Sequence, residues 1–266
     1  MRLAGRVIVI IGGTGGLGLS AARACVGEGA RVVCVGRDAD KAAAVAAELG
    51  AAARVLAADA TQPGTAPRAI AFAVEAFGGC HGLYHVAGGS GRKRGDGPLH
   101  EVTDEGWDFT LNLNLRSIFL SNRAAVRHFL VHGGGSVVNC GSVLGWSPSP
   151  RFFGTHAYAT AKAGIIGLTR AAAAQYAAQG VRCNVLAPAL VATPMSQRAQ
   201  GDAAILDFIR TKQPLDGGRI GRPEDLDAAV VWLLSDESRF VTGQVIAVDG
   251  GWTVSEGQHG RTEPEP

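Results

Sequence analysis

Seven short apolar runs recur along the chain, each separated from the next by a longer segment of different patterning. They are RVIVII (6–11), RVVCVG (31–36), RVLAAD (54–59), GLYHVAG (82–88), SVVNCGS (136–142), VRCNVLAP (181–188) and QVIAVDGG (244–251). Most are rich in β-branched residues, which favour strands. They are not the in/out alternations of a strand with one wet face. Continuous apolarity means that both faces are covered, as in a parallel sheet with helices on each side. Between the runs lie helical stretches near 16–29, 38–50, 64–77, 103–131, 156–179 and 223–235. Asp38 or Asp40 suits the start of the second and Gly50 its end, while Pro223 suits a first helical position followed by acids. Strand–helix alternation from end to end gives a doubly wound α/β domain of about seven parallel strands with helices on both faces. No repeat or linker divides it, so one domain is expected over 1–253, with 254–266 as a disordered C-terminal tail.

Composition excludes several functions. The 266 residues are 47% hydrophobic, enough for one large core, and the net charge of +2 is too small to argue for nucleic acid or a membrane surface. GRKRG (91–95) is the one dense basic cluster and is expected to be a solvated loop. Cys25, Cys34, Cys80, Cys140 and Cys183 are dispersed without a Cys-x-x-Cys pair, which fits buried free thiols in a reducing compartment. The seven histidines form no ligand spacing, so no metal is expected. No apolar run approaches the ~20 residues of a membrane span. The expectation is a soluble, cytoplasmic protein.

IGGTGGLG (11–18) joins the first strand to the first helix. No Gly-Lys-Ser/Thr closes it, so it is not a P-loop. Gly12, Gly16 and Gly18 fall in a G-x-x-x-G-x-G spacing. Glycine permits the tight turn, the close approach of a pyrophosphate and the packing of helix on strand, and the helix N-terminus offers N–H groups to phosphates. The position after a strand and before a helix points to a dinucleotide. At the end of the second strand stands Gly36-Arg37 rather than an acid. An arginine suits a 2′-phosphate, so NADP is expected, with NAD as the alternative.

In this order the residues resemble the short-chain dehydrogenase/reductase family over about 4–252, and most closely its 3-oxoacyl-ACP reductase-like branch. The resemblance rests on the glycine turn, Asp59 in AADAT, Ala87-Gly88, Asn114 in LNLNLRS, Ser142 in NCGSV, Tyr158 and Lys162 in YATAK, NVLAPALVATPM (184–195) and the segment 218–251. It implies a Rossmann-type fold and NAD(P)-dependent interconversion of a secondary alcohol and a ketone, in a homotetramer. It implies a catalytic tetrad of Asn114, Ser142, Tyr158 and Lys162. Cofactor contacts are expected from Gly12, Thr14, Gly15, Gly16, Leu17, Gly18, Arg37, Asp59, Ala60, Ala87, Gly88, Pro188, Val191 and Thr193, besides Tyr158 and Lys162. Four features depart from the pattern. Ile11 stands where threonine is usual, His85-Val86 replaces Asn-Asn and removes a bracing group, Ala189 replaces glycine, and the Ser142–Tyr158 spacing is longer by a few residues.

The chemistry explains the residue types. A free phenol titrates near pH 10, so a tyrosine that exchanges protons near neutrality needs neighbouring positive charge. Lys162 lies one helical turn from Tyr158 on the same face. Ser142, at the carboxyl edge of a strand, can hold the substrate oxygen, and Asn114 can seat a water. The segment 145–156 passes near the substrate, so Trp146, Phe152, Phe153 and His156 are candidate pocket residues, and 195–214 is expected to form a flap with AAILDFI as its apolar face. Arg127 matches a basic position of carrier-protein reductases but Gln179 does not match another, so 3-oxoacyl-thioester reduction is an alternative. A non-catalytic nucleotide sensor on the same fold is a second.

Overall fold

The computed structural model describes residues 1–258. Seven strands, β1 (Val7–Ile11), β2 (Arg31–Gly36), β3 (Ala53–Ala57), β4 (Gly82–His85), β5 (Gly135–Cys140), β6 (Val181–Pro188) and β7 (Val245–Val248), form one sheet. All pairs are parallel, in the order β3-β2-β1-β4-β5-β6-β7. Among the described residues the α-helices are α1 (Gly16–Gly27), α2 (Ala39–Leu49), α3 (Thr65–Phe77), α4 (Asp104–Leu111), α5 (Ser117–Val131), α6 (Pro150–Phe153), α7 (His156–Tyr176), α8 (Gln197–Gln200), α9 (Ala203–Lys212) and α10 (Asp227–Leu234). None of them is long and apolar enough to cross a membrane.

The apolar strand runs are buried on both faces. Ile8 and Ile10 of β1 point into a core shared with Ala21, Ala22 and Cys25 of α1 and Val230 and Leu233 of α10. Val7, Val9 and Ile11 point the other way, onto Ala69 and Ala73 of α3 and Ala125 and Phe129 of α5. Full burial of each such side chain contributes roughly 1.5–3 kcal/mol, so neither face can be left wet. From β1 the chain turns outward to β2 and β3, then returns to place β4 on the other flank of β1. That reversal opens a crevice at the carboxyl ends of β1 and β4.

Local signals end the helices where expected. The Asp38 carboxylate accepts from the Asp40 and Lys41 amides at the start of α2, and Gly50 adopts φ +57° at its end. The long helical stretch 103–131 is broken: α4 passes through a π-helical segment, Asn112–Arg116, into α5. Pro223 opens a 3₁₀ turn, Pro223–Leu226, ahead of α10. The expected tail needs correction in part. The Lys212 ammonium of α9 donates to the Ser255 and Glu256 carbonyls, and the Gln258 amide donates to Thr211 at 2.7 Å. The rest of that tail lies outside the described residues. The five cysteines are free and buried, and burial pushes the Cys34, Cys80 and Cys183 thiols up to about 12.

His85 closes β4 and is fully buried. Its Nδ1 lies 2.6 Å from Ser121 Oγ and its Nε2 3.3 Å from Ser117 Oγ, both on α5. The brace expected to be missing at this position is thus present, supplied by imidazole. Burial, aided by the Lys162 charge, lowers the His85 pKa to about 3. The folded protein therefore keeps His85 neutral where an unfolded chain would protonate it below about pH 6.5. The folded pKa is depressed, so the stability is fully present above about pH 6.5 and drains away as pH falls toward 3, by about 1.4 kcal/mol per pH unit. Urea denaturation of wild type and His85→Asn at pH 7.0 and 5.5 should show a smaller acid-induced loss in the variant. Equal losses would mean that His85 is not the group responsible.

Candidate active site

The glycine turn between β1 and α1 divides its labour. Gly12 has φ +98°, and a Cβ there would lie 2.6 Å from the Ala87 amide nitrogen. A Cβ on Gly18 would lie 2.1 Å from the Gly12 carbonyl oxygen. These two positions let β1, α1 and the loop after β4 touch backbone to backbone. The Val86 and Ala87 amides both donate to Ile11 O, at 2.9 and 2.8 Å. Isoleucine at position 11 therefore leaves the turn braced through its main chain. Gly15 and Gly16 instead keep a space clear. Nothing lies within 4 Å of a Cβ on Gly15, and only Thr193 approaches one on Gly16, at 3.6 Å. Gly15 caps α1 without a side chain; the Gly18 and Leu19 amides donate to Gly15 O at 3.2 Å, and the Gly16 and Leu17 amides ahead of them suit an anion.

The rim of the crevice carries Arg37 and Asp59. Arg37 is exposed just beyond β2. The Asp59 carboxylate accepts from the Thr61 amide at 2.8 Å and the Thr61 hydroxyl at 2.9 Å, which fixes the turn through Ala60. Gly36 is less open than the sequence implies. A Cβ there would meet the Thr14 hydroxyl at 1.9 Å, so Thr14 already fills the space beside it.

Asn114 sits fully buried in the π-helical segment. Its side-chain amide donates to Thr110 O at 2.9 Å and Gly89 O at 3.0 Å, while Oδ1 accepts from the Gly89 amide at 3.0 Å. A Cβ on Gly88 would come within 2.7 Å of that Oδ1, so Gly88 makes room for the clamp. Three of the four hydrogen bonds an asparagine can comfortably make are used, leaving one lone pair on Oδ1.

Ser142 follows β5 and its Oγ accepts from the Leu144 amide at 3.2 Å. Tyr158 and Lys162 stand one turn apart on α7. The Lys162 ammonium donates to Cys140 O at 2.8 Å and lies 5.4 Å from the centre of the Tyr158 ring. Thr155 precedes α7 but makes no side-chain cap. The cap comes from Asp96, a buried residue in the loop after β4, whose carboxylate accepts from the Ala157 and Tyr158 amides at 3.0 Å each. Sequence reasoning missed Asp96. It is 61 and 62 residues from its partners, and the only local signal was its place beside the basic cluster.

Two adjoining cavities meet at Ser142 and Tyr158. The smaller, about 110 Å³, is lined by Leu17, Gly88, Asn114, Lys162, Pro188, Val191 and Thr193 among others. The larger, about 460 Å³, has an apolar lining that includes Leu144, Phe153, Leu190, Met195 and Trp252, and three cations, Arg92, Lys93 and Arg198. Of the four expected pocket residues only Phe153 lines it. Trp146 is 41% exposed, Phe152 packs on Phe208 with ring centres 5.3 Å apart, and His156 Nδ1 contacts Gly97 O at 3.0 Å. The basic loop is solvated as expected, with Arg92, Lys93 and Arg94 exposed, and Arg92 and Lys93 also line the open side of the larger cavity. The expected flap is packed down: Ile205, Phe208 and Ile209 of α9 are buried with Trp252.

Fold and crevice together define a dinucleotide-binding oxidoreductase scaffold. A family model described as "Enoyl-(Acyl carrier protein) reductase" matches residues 12–253. The chain is 38% identical over 259 residues to 2-(S)-hydroxypropyl-CoM dehydrogenase 3 of Xanthobacter autotrophicus, covering 95% of this chain and 98% of that one. It is 37% identical over 250 residues to the 3-alpha-(or 20-beta)-hydroxysteroid dehydrogenase of Mycobacterium bovis, covering 94% and 90%. A solved short-chain type dehydrogenase/reductase from Mycobacterium ulcerans superposes with a TM-score of 0.89 at 33% identity, covering 97% of this chain and 93% of that one. The chain belongs to the short-chain dehydrogenase/reductase family and is an oxidoreductase of a group whose dehydrogenases use nicotinamide cofactors.

Asp96→Ala would leave two helix-terminal amides without their acceptor and release the end of α7 that carries Tyr158. The expected loss is about 1–3 kcal/mol of stability, with a fall in kcat larger than the change in cofactor KM. Asp96→Asn should recover part of both. A denaturation midpoint equal to wild type would remove Asp96 from the support of α7.

Proposed function

We propose that the protein interconverts a secondary alcohol and a ketone with NADP(H), Tyr158 acting as general acid and base. The observation that carries this reading is the position of Tyr158 and Ser142 where the two cavities join, with the Lys162 ammonium beneath the phenol ring. A nicotinamide cofactor, when bound, supplies or accepts the hydride. The crevice fits such a group, because beside the small cavity at Leu17 the neighbouring Gly15 and Gly16 leave open a cradle that side chains would fill. The free amides at the start of α1, including Leu17, would hold its diphosphate. Asp59 and Ala60 would frame the adenine, Val191 and Thr193 the carboxamide, and Lys162 the ribose. Ala87, Gly88 and Pro188 would shape the floor.

On the substrate side, the Ser142 hydroxyl would hold the carbonyl oxygen and Tyr158 would give it a proton in reduction or take one in oxidation. Lys162 stabilises the negative charge left on the phenol oxygen. Its own position is held by Cys140 O, so the charge is oriented before substrate arrives. Asn114 holds the π-helical segment against Gly89, and its remaining lone pair could anchor a water that returns protons. A nucleotide sensor would need the small cavity but no Tyr158. Reduction of 3-oxoacyl thioesters is separated from reduction of small ketones by a substrate panel.

Tyr158→Phe should keep the fold and the NADPH dissociation constant but lose more than nine-tenths of turnover, read from NADPH absorbance with a panel of ketones. Activity above a tenth of wild type would show that another group carries the proton. The cofactor preference rests on Arg37, since one charge-assisted contact to phosphate gives about ten- to a hundredfold in affinity. Arg37→Ala should lower kcat/KM for NADPH by about that factor and leave NADH nearly unchanged. The variant is cleaner than Gly36→Asp, which would collide with Thr14. A wild type that favours NADH tenfold would refute the preference.

A further inference from the structure

We infer that the larger cavity selects a substrate carrying an oxyanionic group, a carboxylate, sulfonate or phosphate, gripped by Arg92 and Arg198 while its ketone or alcohol faces Ser142 and Tyr158. The inference rests on the proposed alcohol/ketone chemistry and deepens it.

Both guanidiniums point at one atom. Arg92 Nη2 donates to Phe152 O at 3.1 Å, and Arg198 Nη2 donates to the same oxygen at 3.0 Å. Two like charges are thereby brought together, with Lys93 on the same wall. Burial and the Arg198 charge push the Arg92 guanidinium below its usual pKa, against a smaller opposing pull from Asp96, so the repulsion is felt at the site. Among the described residues no carboxylate lies within ion-pair reach of Arg92, Lys93 or Arg198. Arg94, in the same short turn as Arg92, does have one, in Glu105. The acid nearest in sequence to Arg92, Asp96, has both oxygens engaged by α7. The result is a positive, solvent-exposed wall without a direct ion pair, in a cavity whose other lining includes Phe153, Leu144 and Trp252. Converging cations without a counter-ion raise the energy of the empty pocket. An oxyanion relieves that cost, because a guanidinium donates to two of its oxygens at once. The volume, about 460 Å³, suits a small or medium molecule.

The test compares methyl ketones ending in carboxylate, sulfonate or phosphonate with neutral alkyl ketones of equal length, and with a 3-oxoacyl thioester of coenzyme A as a separate arm. Expected is a kcat/KM at least tenfold higher for one of the small anionic ketones than for its neutral counterpart. Arg92→Met and Arg198→Met should bring that ratio toward one, and Arg92→Lys and Arg198→Lys should restore part of it. If the arginines only brace the 150–153 turn, anionic and neutral ketones lose activity together and the ratio survives, which overturns the inference. Equal kcat/KM for both classes in wild type, or a preference confined to the thioester, also overturns it. Calorimetric titration of the same ketones into protein saturated with NADP⁺ supplies a readout that needs no turnover. Absence of turnover with every alcohol and ketone would refute the proposed chemistry. Tighter binding of the anionic ketones would still support the cation site, and equal binding would still refute it.

Discussion

A parallel sheet must be covered on both faces, and this chain meets that demand with strands that are apolar on both sides. Val7, Val9 and Ile11 face one helical layer and Ile8 and Ile10 the other. Parallel pairing then forces every connection to run the length of the sheet, so the loops that follow the strands gather at one edge. The reversal of strand order beside β1 opens that edge between β1 and β4. The crevice is therefore a consequence of covering the core, and the glycine turn, Ser142 and the loop after β4 all fall along it.

The loop after β4 connects the parts of the site. Ala87 meets the backbone of Gly12, Gly89 is clamped by Asn114, Arg92 reaches Phe152 and Asp96 caps the helix of Tyr158 and Lys162. The glycine turn, one wall of the larger cavity and the helix of Tyr158 are thus all held by one segment of some ten residues. His85, at the root of this loop, ties it to α5 through Ser117 and Ser121. A polar anchor buried this deeply must be neutral and paired, and both conditions hold.

Charge is managed differently on the two sides of Tyr158. On the side of the glycine turn the groups are backbone amides and one ammonium already held by a carbonyl. On the side of the larger cavity three exposed cations stand without an ion pair among the described residues. Both sides offer positive potential, but the first comes from a helix terminus and the second from side chains. The backbone contribution follows from the glycine turn, and the side-chain contribution from the loop after β4 and from α8.

Much of this was readable in the residues themselves. Whereas the Asn114, Ser142, Tyr158, Lys162 set came from the family resemblance, the seven strand runs, their parallel arrangement and the glycine turn depend on local periodicity and spacing, which a linear chain displays directly. The same holds for Asp38 and Gly50 at the ends of α2. What stayed hidden depends on residues distant in sequence. Asp96 caps a helix some sixty residues away. Trp252 lines a cavity with Ser90, and the exposed Arg92 and Lys93 of GRKRG line its open side. Trp146 and His156, close to Tyr158 in sequence, turn away from the cavity. Their side chains take directions set by the packing of 145–156 against α7, where a Cβ on Gly145 would lie 2.9 Å from the Lys162 backbone. Local pattern determined the scaffold and the glycine turn, because periodicity and turn chemistry act over a few residues. Tertiary packing alone decided the substrate cavity, because its walls come from separate loops that meet only once the sheet has formed.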